Sequence, residues 1–508
     1  MRSAAFAPAL PGKHARQHNA ALAYAGIASG AVLLAVLFGL VAVTANPIFI
    51  GLAVGLLAGV LLLGNVSWTI WSIFGLGLFV VGVLPLWVEG YASKAVWGVS
   101  LLGLLLLAGT LLRALANPAV TRGAPPFVWL ALSFLIYASA DGLAHWGGPT
   151  QFFSGFKSYF QVFGLIFALA WLRVDEGNVR QWRKLFVILA LVQLPWAIYE
   201  LIWLVPIREG LRHAYPLLVP IDVVAGTFGA SLHAGGANGE MAAFLIIALV
   251  FLLARWREKA LTARRVMLFA PIILAPLFMG ETKAVVVMLP LAFATLYRRE
   301  LLARPHYALA GLLVGALLTV AAGYAYLSQQ KKTLEQYVAG TLSYNVYEGG
   351  YGGRELNRTT VLTFWAKQHG LHDPVGTVFG HGLGSTSENA GGQMARRYAG
   401  KGIGLTAASR LLWEQGLGGM LLFLSILLAA WRAAGRLWRQ TGDAAIRADA
   451  AAIQAALPVF AFFLVYRAAL VEGRVFQIVF AAMLGYLAWL CRQQADAGPG
   501  PLSARHEG

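Results

Sequence analysis

The stretch RELNRTTVLTFWAKQHGLHDPVGTVFGHGLGSTSENAGGQMARRYAGKGIGLTAASRLLWEQGLGG, residues 354–419, ends the one long polar interval in an otherwise apolar sequence. Most of the remaining chain consists of apolar runs long enough to form membrane-spanning helices. A membrane protein that keeps one large loop on one side often carries its recognition surface there. We therefore expect this stretch to hold the functional site, with the apolar helices as its platform.

Composition indicates an integral membrane protein. Of the 508 residues, 59% are hydrophobic and 12% are charged, and the mean hydropathy is +0.68. Soluble domains carry about a quarter charged residues, so this chain cannot cover a globular surface with polar groups. The net charge of +17 lies in short segments between apolar runs, as membrane topology requires, and does not indicate nucleic-acid binding.

Cysteine and histidine usage predicts neither a metal site nor a cofactor. The single cysteine, Cys491, excludes an intramolecular disulfide and a cysteine-based metal site. Apart from His14 and His18 in the N-terminal tail, the ten histidines are scattered without the i, i+4 spacing that places two ligands on one helix face.

Hydropathy predicts an all-α, polytopic bundle of about fourteen transmembrane helices. The run 266–297 would be about 48 Å long as one helix, against a hydrocarbon core of about 30 Å. Its polar break Gly280-Glu281-Thr282-Lys283 therefore predicts two spans joined by a turn. The predicted spans lie near 21–44, 47–63, 67–88, 96–116, 127–146, 151–172, 184–205, 241–256, 266–280, 284–297, 307–328, 408–431, 453–470 and 474–491.

The basic residues predict the orientation. With residue 1 in the cytoplasm, the inside segments hold 23 Lys and Arg residues, and the short outside segments hold six. Both termini are then cytoplasmic, and the long loop is extracytoplasmic. The chain divides into a cytoplasmic tail (1–20), N-terminal spans (21–205), central spans (206–328) with a periplasmic segment (206–240), a large and partly helical periplasmic loop (329–407), C-terminal spans (408–491) and a cytoplasmic tail (492–508).

Ionisable groups inside or at the ends of spans are costly in lipid and are therefore candidates for function. Lys283 is the strongest candidate among them, because a cation at an outward turn can bind a lipid pyrophosphate without entering the hydrocarbon core. Arg208 and Arg212 follow a span that ends at the same face. Two or three such cations could bind a diphosphate and stabilise it as a leaving group.

Further candidates for substrate contact each have a structural alternative. Lys157, Glu281, Arg410 and Glu414 also fit an ion pair or an interfacial anchor, and Arg410 stands four residues before Glu414, as a helical pair would. Tyr351 belongs to a series of loop tyrosines that could stack on sugar rings or anchor the loop at the membrane surface.

Two features stand out within the loop. The chain from Asn357 to His369 is predicted to be helical, with Asn357 as its N-cap and Gly370 as its C-cap. The glycine series Gly380-His381-Gly382-Leu383-Gly384 lets the backbone approach a ligand closely. No strand precedes this series and no Lys-Ser/Thr follows it, so it does not predict a nucleotide site.

A general base is not identified by the sequence. His381, His372 and Glu388 lie in the loop and could accept a proton from an acceptor hydroxyl. A general base must lie within hydrogen-bond distance of the proton that it accepts, whatever its pKa. The sequence does not give that distance for any of the three residues.

Several motifs together resemble the O-antigen polymerase and ligase family. They are GTFG…GANGEMAAFL (226–245), GETKA (280–284), an Arg358-led helix that runs to Asp373-Pro374 and the glycine series, and EQGLGG (414–419). The resemblance covers roughly residues 205–430, and the first two hundred residues are only generically similar.

The resemblance implies a metal-independent, inverting glycosyltransferase without a cofactor. Such an enzyme moves an oligosaccharide from undecaprenyl diphosphate to an acceptor hydroxyl at the periplasmic face. Lys283 takes the place of the family's turn arginine, and Arg358 matches the arginine that opens the loop helix. With His381, these residues form the candidate catalytic set.

The sequence departs from the family pattern at two places. Val224-Ala225 stands where the family often has an arginine before G-T-F, so Arg208 or Arg212 would have to substitute. Leu405-Thr406 stands where ligases place a His-Asn pair, and this difference favours a polymerase over a ligase.

The first expectation is therefore a polymerase of lipid-linked repeat units in exopolysaccharide, capsule or O-antigen biosynthesis. Its partners would be the undecaprenyl-diphosphate-linked glycan, the lipid bilayer and other polysaccharide assembly proteins. The alternatives are a ligase that transfers glycan to a lipid or protein acceptor, a lipid-linked glycan flippase or other transporter, and a non-catalytic assembly partner. A transporter would be expected to show similarly interrupted spans in two halves, and the GETK break has no clear counterpart.

Overall fold

The computed structural model describes residues 64–87, 89–216, 218–304 and 354–496, with 306, 335 and 339 as isolated positions. Within these ranges the fold is all-α and has no strand, as predicted. The helices are α1 (Val66–Gly75), α2 (Glu89–Ala116), α3 (Pro126–Ala144), α4 (Pro149–Phe160), α5 (Gly164–Trp171), α6 (Glu176–Tyr199), α7 (Val205–Leu211), α8 (Asn238–Arg257), α9 (Ala263–Met279), α10 (Val285–Leu296), α11 (Arg298–Ala303), α12 (Thr360–Gln368), α13 (Pro374–Phe379), α14 (Gln393–Arg397), α15 (Ala407–Gln440), α16 (Ala444–Tyr466), α17 (Ala469–Glu472) and α18 (Arg474–Asp496).

Eight helical segments of the described chain are long and apolar enough to cross a membrane, and the pair α4 and α5, bent by 47°, makes a ninth if it is one span. The membrane class is thus confirmed. Three predicted spans, near 21–44, 47–63 and 307–328, lie outside the described residues. The eight segments are Val66–Leu86, Trp97–Ala116, Pro126–Ala144, Glu176–Leu211, Asn238–Arg257, Ala407–Gln440, Ala444–Tyr466 and Arg474–Asp496.

The predicted break at GETK is present, but the helices beside it are short. α9 ends at Met279 and has 17 residues, and α10 begins at Val285 and has 12. At about 1.5 Å per residue, α10 is roughly 18 Å long, less than a hydrocarbon core of about 30 Å. The second helix of this pair is therefore too short to be a full span by itself.

The C-terminal helices α16 and α18 form the centre of the described bundle. In their most apolar windows, 78% and 83% of residues are buried, compared with 28% for the span that contains α6. α16 packs against α8, α10 and α15, and small side chains at these contacts allow close helix approach in a membrane. The buried alanines of α16 are at 448, 450, 451, 452, 455 and 456.

α15 enters the bundle with a break in its first turns. Thr406 caps it through a capping box with Ser409. Gly416 then has a φ of 60°, outside the helical range. A Cβ at this position would lie 2.4 Å from the carbonyl carbon of Val378, so only glycine fits. The break lets the loop pack against the first part of α15 before the helix continues.

Candidate functional site

Three arginines from distant parts of the chain gather around Asp222. Arg208 lies in α7, Arg358 precedes α12 and Arg467 follows α16, and all three act electrostatically on the Asp222 carboxylate. Burial raises the pKa of Asp222 above its ordinary value, and the three neighbouring guanidinium groups oppose that rise. We call these four residues the arginine cluster.

Arg208 is held by backbone carbonyl groups of the 226–240 segment. Its side chain is fully buried, and its two terminal amino groups donate to the carbonyl oxygens of Ser231 at 3.3 Å and Ala234 at 3.0 Å. Its Nε is buried without a hydrogen-bond partner. Burial of a guanidinium is costly unless its N–H donors and its charge have partners. The carbonyl oxygens of Ser231 and Ala234 and the charge of Asp222 are those partners for Arg208.

The other two arginines are anchored at the end of α16. Arg467 donates to the Gly236 carbonyl at 2.8 Å and pairs with Glu240 at 3.0 Å. Arg358 donates its Nε–H to the Tyr466 carbonyl at 2.8 Å, and its guanidinium lies 4.5 Å from the centre of the Tyr466 ring. Two consecutive residues, 466 and 467, thus bring the loop and the 226–240 segment together.

Asn238 joins the cluster to the turn between α9 and α10. Its side-chain amide donates to Asp222 and to the Gly280 carbonyl, each at 3.3 Å. Lys283 is exposed in that turn, and Glu281 is exposed there with a φ of 45°. The GANGE and GETK segments, singled out in the sequence, are therefore in direct contact.

A cavity of about 290 Å³ lies beside the arginine cluster. It is lined by Ser231, whose carbonyl binds Arg208, and by Glu240, the partner of Arg467. Glu472 and Arg474 line its other side. Its size is near the lower end of the range for small-ligand sites.

Glu414 is a structural residue rather than a partner of Arg410. Its carboxylate is buried and accepts from the backbone amides of Gly384 at 3.1 Å and Thr386 at 3.2 Å, and from the Thr386 hydroxyl. Arg410 instead pairs with Glu472 at 2.8 Å. The predicted i, i+4 pair is wrong, because the Glu414 oxygens already hold the loop.

The glycine series approaches protein backbone, and not an open ligand site. Gly380, Gly382 and Gly384 all have φ near +80°. A Cβ at Gly380 would lie 2.5 Å from the Gln415 amide nitrogen, and one at Gly384 would lie 2.2 Å from the Gln151 carbonyl oxygen. The series therefore serves close packing of the loop onto α4 and α15.

His381 lies in a different cluster, with His369 and Asp373. Its Nε2 is 3.1 Å from His369 Nε2 and 3.6 Å from the Asp373 carboxylate. His369 Nδ1 lies 2.9 Å from the Trp365 carbonyl, which fits an Nδ1–H donor and leaves Nε2 to accept from His381. The ligand atoms of His369, Asp373 and His381 also lie within 4.8 Å of one another, close enough to hold a metal ion, which the scattered histidines did not predict.

His381 is a poor candidate for the general base. Burial and the neighbouring His369 lower its pKa to about 4. No hydrogen bond or ion pair among the described residues joins it to the arginine cluster. The role predicted for His381 is therefore not supported by its surroundings.

Other predicted residues lie apart from the cluster or outside the described chain. Arg212 is exposed, so Arg208 alone of the two candidates enters the cluster. The Lys157 ammonium lies 3.8 Å from the centre of the Trp97 ring, a contact that fits an interfacial anchor. Tyr351 lies outside the described residues.

Two residues of these sites, Asp222 and His369, received no role from the sequence, and Arg467 was only a general candidate. Arg467 was one of several ionisable residues near span ends, and Asp222 and His369 lay within polar segments without a motif of their own. The only signal for Arg467 was a charge at the end of an apolar span.

No known protein family, characterised protein or solved structure matches the chain.

Proposed function

We propose that this protein is a polysaccharide polymerase that transfers a glycan from a polyprenyl diphosphate carrier at the periplasmic face of the bacterial inner membrane. The observation that carries the proposal is the convergence of Arg208, Arg358 and Arg467 beside a cavity. The motif resemblance supplies the reaction type and the undecaprenyl carrier. O-antigen-ligase-type transfer is the alternative that uses the same leaving group.

The charge of the cluster suits a diphosphate. Three guanidinium groups face two carboxylates, Asp222 and Glu240, so positive charge remains in excess. Arginine binds phosphate oxygens through paired, charge-assisted hydrogen bonds. In this proposal the cluster binds the diphosphate and stabilises the charge that develops as the glycan leaves, while Lys283 approaches from the exposed turn.

The acceptor would occupy the cavity of about 290 Å³. Glu240 and Glu472 both line that space, so a carboxylate of this chain could accept the acceptor's hydroxyl proton there. The transfer breaks the bond between the glycan and the diphosphate and forms a bond to the acceptor oxygen. The proposal needs no metal ion and no cofactor.

The glycans of a deletion strain test the proposal. A polymerase deletion should accumulate single lipid-linked repeat units on the outer leaflet, because repeat units are still exported but not joined. Accumulation on the inner leaflet would mark a flippase instead, and accumulation of finished polymer on its carrier would mark a ligase.

Reporter fusions should show that the cluster faces the periplasm. Trp438 and Arg447 both donate to Glu258, so the α8–α9 and α15–α16 connections share one end of the bundle. The contact between Gly236 and Arg467 lies at the opposite end of α8. We expect cytoplasmic signals from fusions at 259 and 442 and periplasmic signals at 235 and 391; a cytoplasmic signal at 235 would rule out the proposed reaction.

The charge of Lys283 should matter more than its shape. Lys283→Met keeps much of the apolar stem and removes the cation, so we expect a strong loss of polymer at normal protein abundance. Lys283→Arg should retain partial activity. Polymer length on gels and immunoblots of membranes measure both, and full-length polymer from Lys283→Met would show that Lys283 is only an interfacial anchor.

A further inference from the structure

A second cavity lies at the opposite end of the bundle and is lined mainly by arginines. Its volume is about 250 Å³, and it lies where α15 and α16 meet α11. Its lining contains no acidic residue. The lining residues are Arg298, Trp431, Arg432, Gly435, Arg436, Arg439 and Gln454.

The positive charge of this cavity is not neutralised by the described chain. Arg432, Arg436 and Arg439 are exposed and form no hydrogen bond or ion pair with any described residue. Arg298 donates to Gln454 at 2.8 Å, but its Nη1 is buried without a partner. Burial and neighbouring guanidinium groups lower the pKa of Arg298, as expected where like charges are held together.

The nearby carboxylates are already occupied. Glu258 accepts from Arg257, Arg447 and the Trp438 indole, and Glu300 lies 3.8 Å from Arg257. Four arginines around one cavity therefore favour an anion from outside the described chain. Phosphate oxygens accept paired, charge-assisted hydrogen bonds from guanidinium groups, and one phosphate can bind several of them.

The outer face of α15 indicates that the phosphate belongs to a lipid. Leu421, Leu424 and Leu428 are exposed on the span, and they precede the three exposed arginines at helical spacing on the same face. An acyl chain can lie along the leucines while its headgroup reaches the arginines at the end of the span. Basic pockets between helices at a membrane surface commonly bind anionic headgroups.

From this arrangement we infer that the cavity is a binding site for the phosphate headgroup of an anionic membrane lipid. Arg298 and Gln454 form its floor, and the three α15 arginines form its outer wall. The site is separate from the arginine cluster and does not depend on the proposed transferase activity.

Full-length protein in lipid nanodiscs tests the inference. The nanodiscs contain phosphatidylcholine with or without phosphatidylglycerol, and native mass spectrometry and thermal unfolding measure bound lipid and stability. The double variant Arg436→Gln/Arg439→Gln changes exposed side chains and should fold. Its matched control is Arg264→Gln/Arg265→Gln, which removes two exposed arginines from the first turn of α9.

We expect phosphatidylglycerol to bind and stabilise the wild type and the control, and to bind the cavity variant at least about tenfold more weakly. If both double variants lost phosphatidylglycerol binding equally, the binding would depend on surface charge in general and not on the cavity, and the inference would be overturned. Inorganic phosphate is titrated in phosphatidylcholine nanodiscs as a separate arm. The same stabilisation by inorganic phosphate alone would make this a site for a soluble anion and also overturn it.

Discussion

Gly384→Ala is expected to lower the yield and the unfolding temperature of the protein strongly, whereas Gly391→Ala should change both only slightly. Both glycines have left-handed φ values, +74° and +63°, so alanine costs about 1–2 kcal/mol at either position. A Cβ at Gly384 would also lie 2.2 Å from the Gln151 carbonyl oxygen, and Gly391 has open space around it. Overpacking against backbone adds about 1–3 kcal/mol or more at Gly384 alone.

The two terms together cost about 2–5 kcal/mol, a substantial fraction of the stability of a domain, which is about 5–15 kcal/mol. Gly384 also donates its amide to the buried Glu414 carboxylate, so its displacement breaks the hydrogen bonds that hold the loop. Size-exclusion profiles and thermal unfolding of detergent-solubilised protein measure both variants. Equal behaviour of the two would mean that the loop does not need close contact with α4.

Local patterns predicted several of the spans, although not their number of about fourteen, because the signal for a span lies in consecutive residues. The span predicted at 127–146 is observed as Pro126–Ala144, and the one predicted at 241–256 as Asn238–Arg257. The polar GETK break was predicted from length and hydropathy alone. The loop helix starts at Thr360, three residues after the predicted N-cap, although the Asn357 side chain does accept from the amides of residues 359 and 360.

The partners of the charged groups could not be predicted in the same way. The i, i+4 spacing predicts that Arg410 pairs with Glu414. Instead, the Glu414 carboxylate accepts hydrogen bonds from the loop backbone, and Arg410 pairs with Glu472, about sixty residues away in the sequence. The arginine cluster likewise depends on contacts between α7, the loop and the end of α16. Such contacts follow from tertiary packing, for which one sequence has no periodic signal.

The glycine series shows how one pattern can support two structures. Positive φ and a missing Cβ suit a ligand cradle and also suit tight backbone packing. The choice between them depends on what lies opposite, and here Gln415 and Gln151 lie opposite Gly380 and Gly384. Within residues 354–419, the proposed substrate contact is therefore Arg358 and not the glycine series.

Arg358→Lys is expected to lower polymer formation by at least about tenfold, because one charge-assisted hydrogen bond to a phosphate contributes about 1.5–3 kcal/mol. The Arg358 guanidinium donates to the Tyr466 carbonyl while it lies over the Tyr466 ring, and this arrangement orients it toward Asp222 and the other arginines. A lysine carries the same charge, but its ammonium group has no planar fork. It therefore cannot stack on the Tyr466 ring, donate to the Tyr466 carbonyl and bind two phosphate oxygens at the same time.

Arg410→Lys is the matched comparison, since it makes the same chemical change near the other end of residues 354–419. The Arg410 guanidinium lies 2.8 Å from a Glu472 oxygen, and a lysine ammonium can keep that ion pair, so we expect near-normal polymer. Polymer length, protein abundance and unfolding temperature should be measured for both variants, so that a folding defect is separated from a loss of activity. Full activity in Arg358→Lys with loss in Arg410→Lys would reverse the assignment, because it would move the diphosphate from the arginine cluster to the side of the cavity that Glu472 and Arg474 line.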